Sequence, residues 1–218
     1  AAIYDMYFGE AFCGALPEYE AQYPEVLRYA CDALKDENGL AIAICDTNTA
    51  EIEAARRAGF LPIEQTETVM KIDLDTPRHT ALPEGFSPYE PDPVKDAEAL
   101  QWLFWQGFDH GEDRKEFERE EAIVPRVRKH MRRELGAAAV DGTGEFAAFC
   151  CLWYHDKTDY AYVEPVCTIP RYRGKGLAGA LLDLALDRAR ALGAKAAYVI
   201  SDLPFYEKRG ISKIAHFT

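Results

Sequence analysis

The sequence predicts a mixed α+β protein, and three features of it do so. The second half runs through three strand-like apolar segments and then alternates helix and strand. A loop of glycines and cations stands between a strand and a long Ala/Leu-rich helix. An order of strand, polar turn, short helix and glycine occurs twice.

Between Tyr23 and Asn38 the residues Val26, Leu27, Tyr29, Ala30, Ala33 and Leu34 recur at helical spacing, and Gly39 stands where such a helix stops. Leu40 to Cys45 is a short apolar run, read as a buried strand. Thr47, Asn48 and Thr49 offer capping oxygens for a helix from Ala50 to Ala58, closed by Gly59. Pro62 to Leu74 alternates polar and apolar residues, as an edge strand or hairpin arm does. The proline-rich stretch from Asp75 to Pro93 is a linker containing one strand near Phe86.

The second half restarts with a helix from about Val94 to Gly107. A charged stretch from Asp109 to Glu134 follows, helical in part, with Pro125 as a helix start. Ala137 to Val140, Glu145 to Tyr154 and Asp159 to Thr168 are three successive strands joined by polar turns. A helix from Gly174 to Leu192, a strand from Ala196 to Ser201, a short helix from Pro204 to Arg209 and a strand from Ser212 to Phe217 complete the order.

The twofold pattern pairs Ala41–Asp46 and Ala54–Phe60 with Ala197–Asp202 and Phe205–Ile211. Order and closing glycine both recur, which a duplicated unit explains more simply than chance.

With 37 acidic against 25 basic residues the net charge is −12, which disfavours nucleic acid as a partner and suits a cationic amine. No run reaches the roughly 18 apolar residues of a membrane span, and no signal-peptide pattern opens the chain. A soluble, cytoplasmic protein without a membrane partner is expected. The chain opens at Ala1 inside an apolar stretch. Cys13, Cys31, Cys45, Cys150, Cys151 and Cys167 show no ligand spacing with one another or with the five histidines, so buried free thiols and no metal are expected.

The informative segment is Val163 to Ala178. A strand leads into a loop with Gly174, Gly176 and the cations Arg171, Arg173 and Lys175, and the loop opens a long helix. Exposed amide groups at a helix start, together with the positive end of the helix dipole, suit a phosphate or diphosphate. Glycine permits nested amides and close approach of the ligand oxygens. Leu177 stands where a Walker loop needs a hydroxyl, and the glycine spacing of a dinucleotide fingerprint is missing.

Arg173-Gly174-Lys175-Gly176-Leu177-Ala178 matches the pattern Gln/Arg-x-x-Gly-x-Gly/Ala, and here the sequence resembles the GNAT acyltransferases. The resemblance covers about Phe86 to Thr218. It implies a GNAT fold: a central mixed, mostly antiparallel sheet flanked by helices, here preceded by a degenerate partial unit of the same kind. It further implies acetyl-CoA as co-substrate, with its pantetheine arm along Val166, Cys167 and Thr168 and its diphosphate on the loop, including Arg171. Phe205 to Ile211 resembles the family's Tyr-Glu-Lys-x-Gly-Phe element, which makes Tyr206 the group that protonates the departing CoA thiolate. Ser201 falls where most members carry Asn near the cofactor, a departure from the pattern.

Acyl transfer to an amine also needs a base. Glu164 lies on the strand before the pantetheine positions and shares a face with Tyr162 by strand alternation. The reading assigns Glu164 the base, with an ordinary strand carboxylate as the alternative. Asp109 and His110, with Tyr162, are candidate substrate contacts, or else part of a solvated loop. The implied organisation is a degenerate half over residues 1–76, a linker and first strand over 77–93, and an N-acetyltransferase domain over 94–218. The expected acceptor is a small primary amine attacked directly, and a homodimer is compatible with this reading. The alternative is a CoA-binding sensor or scaffold without turnover.

Overall fold

The computed structural model describes residues 2–7, 9–120 and 132–218, the first six by their backbone alone. In chain order the first elements are β1 (Ala2–Tyr7), β2 (Glu10–Gly14), α1 (Tyr23–Ala33), β3 (Ala41–Ile42), α2 (Thr49–Arg57) and β4 (Glu67–Asp73). Next come β5 (Phe86–Tyr89), α3 (Ala97–Gly107), α4 (Arg114–Glu120), β6 (Ala137–Asp141), β7 (Phe146–Tyr154) and β8 (Tyr160–Thr168). The last are α5 (Leu177–Ala191), β9 (Ala196–Ile200), α6 (Pro204–Glu207) and β10 (Ser212–Phe217). Two compact units result, one of Ala1–Met70 with Ile200–Thr218 and the other of Lys71–Val199.

In the first unit β2 pairs antiparallel with β1 and parallel with β3. The β2–β3 crossover carries α1, whose Tyr23, Leu27 and Ala30 are buried, and the core adds Ile44, Ala54 and Ala55. Asn48 caps α2 as its sequence position predicts, its side-chain oxygen accepting from the Glu51 amide at 3.2 Å. The end of the chain belongs to this unit because Ile44 and Thr218 exchange two backbone hydrogen bonds of 3.0 and 3.1 Å. The Asp46 carboxylate also holds the His216 ring at 2.7 Å and accepts from the Thr218 hydroxyl at 2.9 Å. The compact units thus divide the chain differently from boundaries drawn along the sequence.

One carboxyl in this unit sets a stability test. Glu51 is 2% exposed; its Oε2 accepts from Asn48 Nδ2 at 2.8 Å, while Oε1 has no partner. Burial pushes its pKa from 4.5 to about 7. Over that window the folded chain retains a proton that the unfolded chain loses, so stability is full below pH 4.5 and falls as pH rises through 7. The displacement corresponds to about 3 kcal/mol as an upper figure. Glu51→Gln is therefore expected to stabilise the chain at pH 8 by up to that amount and to change little at pH 4.5, as read from denaturant melts. An equal effect at both pH values would reject this account.

The second unit is built on strands in the order β9-β8-β7-β6-β5, antiparallel except for the parallel pair β8–β9. The strand β7 is buried along almost its whole length, since both its faces are covered. Leu100, Leu103 and Phe104 of α3 pack on Phe149 and Cys151, and α5 packs along β6, β7 and β8. The proline-rich stretch is pinned down rather than loose. The Arg78 amide donates to Asp187 at 2.8 Å, and its guanidinium and the Thr80 hydroxyl hold the buried Asp183 carboxylate at 3.1 and 2.6 Å.

Several element ends differ from the sequence expectation, each for a local reason. α3 begins at Ala97 rather than Val94 because the Asp92 carboxylate accepts from the Val94 and Lys95 amides and holds a separate turn. α1 ends at Ala33, since Asp36 accepts from the Asn38 and Gly39 amides and turns the chain back. α5 starts at Leu177, not Gly174, because Gly174 and Gly176 have φ of 76° and 88°, outside helical values. The expected helix start at Pro125 lies outside the described residues.

Candidate active site

The site starts from a divergence of strands. β8 and β9 pair in parallel only as far as Tyr162 and Tyr198, so the later residues of β8 have no β9 partner. An edge of this kind offers backbone donors and acceptors to an extended amide-containing chain. Just beyond the divergence β8 carries a bulge, because Val163 pairs with Leu152 and Val166 with Cys150, leaving Glu164 and Pro165 opposite Cys151 alone. Cross-strand partners share a face, so Tyr162, opposite Trp153, and Cys167, opposite Phe149, both face the α3 side. Simple alternation would have put Cys167 on the opposite face. Glu164 is exposed and Tyr162 half-buried on their common face.

After Thr168 the chain makes a 3-10 turn over Pro170–Tyr172 and enters the glycine loop. The Tyr172 hydroxyl donates to Asp141 Oδ2 at 2.5 Å, and the Thr143 hydroxyl donates to Asp141 Oδ1 at 2.7 Å. These donors hold the Asp141 carboxyl well below the usual carboxylate range. Asp141 thereby ties the end of β6 to the residue before the loop. Gly176 is the N-cap of α5 and receives no side-chain cap. Among the described residues no oxygen accepts from the backbone N–H groups of Gly174, Lys175, Gly176, Leu177 or Ala178. Among the described residues a Cβ at Gly174 or Gly176 would meet nothing within 4 Å, so the loop faces open space there. Unpaired amides at the positive end of a 15-residue helix, under open space, fit a diphosphate.

The three loop cations are engaged with the protein itself. Arg171 pairs with Glu145 and lies over the Tyr172 ring, while Lys175 Nζ sits 5.3 Å from the Tyr172 ring centre and 5.5 Å from that of Phe86. Arg173 donates from Nε to the Thr168 carbonyl and from Nη2 to the Gly107 carbonyl, both at 3.0 Å, and pairs with Asp109 at 2.9 Å. This guanidinium therefore joins the end of β8, the glycine loop and the C-terminus of α3.

Gly107 is part of the same joint, because a Cβ there would lie 2.9 Å from Cys167 Cβ. Only glycine lets α3 approach β8 so closely. Gly107→Ala is expected to cost about 1–3 kcal/mol of stability through overpacking, read as a lowered denaturation midpoint. An unchanged midpoint would show that Cys167 yields freely.

Of the residues singled out in the sequence, Tyr162, Glu164, Val166, Cys167, Thr168, Asp109, His110 and Arg171 to Ala178 all lie in the second unit. Ser201 and Tyr206 lie in the first. Tyr206 is 7% exposed with its ring 4.9 Å from that of Phe205, and Ser201 Oγ accepts from the Leu203 amide at 3.2 Å. The His110 ring packs 5.0 Å from that of Trp105. Cys167 is buried, and burial pushes its thiol up to about 12. Sequence reasoning missed Gly107, Asp141 and the Asp109–Arg173 pair. A turn aspartate and a helix-end glycine are visible in sequence, but nothing in sequence pairs them with residues 31 and 60 positions away. Among the described residues no group of three or more His, Cys, Asp or Glu side chains could hold a metal, and no helix is long and apolar enough to cross a membrane.

The family model described as acetyltransferase (GNAT) family matches residues 97–211, just over half of the chain. No curated protein sequence matches. Among solved structures, a GCN5-related N-acetyltransferase from Sphaerobacter thermophilus aligns over 99% of this chain and 73% of its own, with 18% identity and a TM-score of 0.70. A GCN5-related N-acetyltransferase from Kribbella flavida aligns over 98% and 82%, with 16% identity and a TM-score of 0.64. A tandem GNAT protein from the clavulanic acid biosynthesis pathway aligns over 96% and 73%, with 14% identity and a TM-score of 0.65.

Proposed function

Because the chain belongs to the GNAT family of acetyltransferases, and is thereby an acyl-CoA-dependent acetyltransferase with a mixed α/β GNAT fold, we propose that it acetylates a primary amine by direct attack. Acetyl-CoA supplies the activated acetyl group as a thioester. The observation that carries this reading is the run of five amides from Gly174 to Ala178 that have no acceptor among the described residues, beside the end of β8 that β9 leaves unpaired. The loop amides bind the diphosphate, and the edge of β8 from Val166 to Thr168 orients the pantetheine arm. Glu164, exposed at the bulge, takes the proton of the amine, directly or through water. Tyr206 delivers a proton to the departing sulfur.

An acyl intermediate on Cys167 would need its thiolate. Cys167 stays protonated at neutral pH, with its pKa at about 12, which favours attack by the amine itself. The acidic balance of the chain favours a cationic acceptor over nucleic acid. Residues 1–76 constitute a degenerate GNAT-like half. Their turn at Pro17–Gln22 carries Glu18 and Glu20 and no glycine, so it repels a diphosphate.

The test is release of free thiol from acetyl-CoA across a panel of aminoglycosides, polyamines, amino acids and peptide N-termini. Amine-dependent release is expected. CoA binding without release for any amine would turn the reading toward a binding module.

A further inference from the structure

The C-terminus of α3 closes with the two hydrogen bonds of a Schellman motif. The Asp109 amide donates to the Gln106 carbonyl at 3.1 Å, and the His110 amide to the Trp105 carbonyl at 3.0 Å. The residue that must then adopt the left-handed conformation is ordinarily glycine. Here it is Asp109, with φ 62°, the one non-glycine residue at positive φ among those described. Aspartate tolerates this conformation better than most residues, but its carboxylate is not needed to close the helix. That carboxylate meets Arg173, the residue that opens the glycine loop, at 2.9 Å. An anion of the protein thus already occupies a cation beside the amides that fit a diphosphate. The Arg173 and Asp109 side chains are 45% and 65% exposed to water, so the pair holds weakly and exchanges easily.

We propose that Asp109 is a positioning residue that competes with the diphosphate of the cofactor for the Arg173 guanidinium. This rests on the reading of the glycine loop as the diphosphate site. In this structure Asp109 and the Gly107 carbonyl hold Arg173 against the end of α3. Binding of the diphosphate draws the guanidinium away and releases the loop after α3, which is the side where the acceptor loop was expected. Linkage makes the effect reciprocal: whatever holds Asp109 on Arg173 weakens cofactor binding by the same factor.

The experiment is calorimetric titration of CoA into the wild type, Asp109→Asn, Arg173→Gln and the double variant. Asparagine keeps the left-handed cap and removes only the charge. Asp109→Asn is expected to tighten CoA binding about two- to fivefold, and the gain is expected to vanish when Arg173 is glutamine. If Arg173→Gln unfolds, Asp109→Asn alone answers the question against pantetheine, which lacks the diphosphate: the gain is confined to CoA. A purely structural Asp109 would give weaker CoA binding in Asp109→Asn, and a diffuse charge effect would give the same gain with or without Arg173. Either result overturns the proposal while leaving the loop as a CoA site. Absence of CoA binding in the wild type would overturn both.

Discussion

Gly176→Glu is expected to lower CoA affinity by at least about a hundredfold while the chain stays folded. Gly176 caps α5 at φ 88°, and among the described residues its amide has no partner and nothing fills the space where a side chain would stand. A carboxylate placed there faces the negative diphosphate. At about 5 Å and an effective dielectric near 20, each pair of charges repels by about 3 kcal/mol, enough for two decades of affinity. Backbone strain from a side chain in the left-handed region adds about 1–2 kcal/mol of destabilisation, which Gly176→Ala shares without the charge. Calorimetry on both variants separates the two effects, with alanine losing far less affinity than glutamate. Equal affinity of Gly176→Glu and wild type for CoA would remove the basis of the proposed function.

Tyr206→Phe is expected to lower kcat about a hundredfold at pH 7 with unchanged CoA affinity. The ring is buried and its packing survives the substitution, so only the hydroxyl is lost. Positioned proton donors contribute on the order of a hundredfold or more. A thiol of ordinary pKa, about 8.5, departs unaided in alkaline solution, so the deficit is expected to shrink as pH rises above that value. A packing tyrosine predicts wild-type kcat at every pH, and that result would exclude Tyr206 from the chemistry.

The glycine loop was legible in sequence because its requirements are local. Two glycines between a strand and a helix dictate the backbone, and the helix supplies the field. Asn48 as a cap and the strands over 137–168 were legible for the same reason, since capping and alternation act over a few residues. The face of Cys167 was not legible, because the bulge at Glu164 and Pro165 shifts the alternation by one and shows itself only against the register of β7. The loop cations show in sequence as positive charge beside the diphosphate loop, and in the structure Arg173 and Arg171 hold partners from α3 and from the strand turn at Glu145. Sequence displays a charge but not what stands opposite it.

What the sequence by itself determined is therefore the chemistry of short spans: the order of most strands and helices, though not β1 and β2, the amide-rich turn ahead of α5, and the family these residues resemble. Only the tertiary structure decided that Gly107 must be glycine, that Asp141 anchors Tyr172, that Asp109 meets Arg173, and that the end of the chain bonds to Ile44 and Asp46. Backbone dihedrals and helix dipoles act within a few residues, whereas contacts across 31 to 172 positions come from how the strands pair and the helices pack.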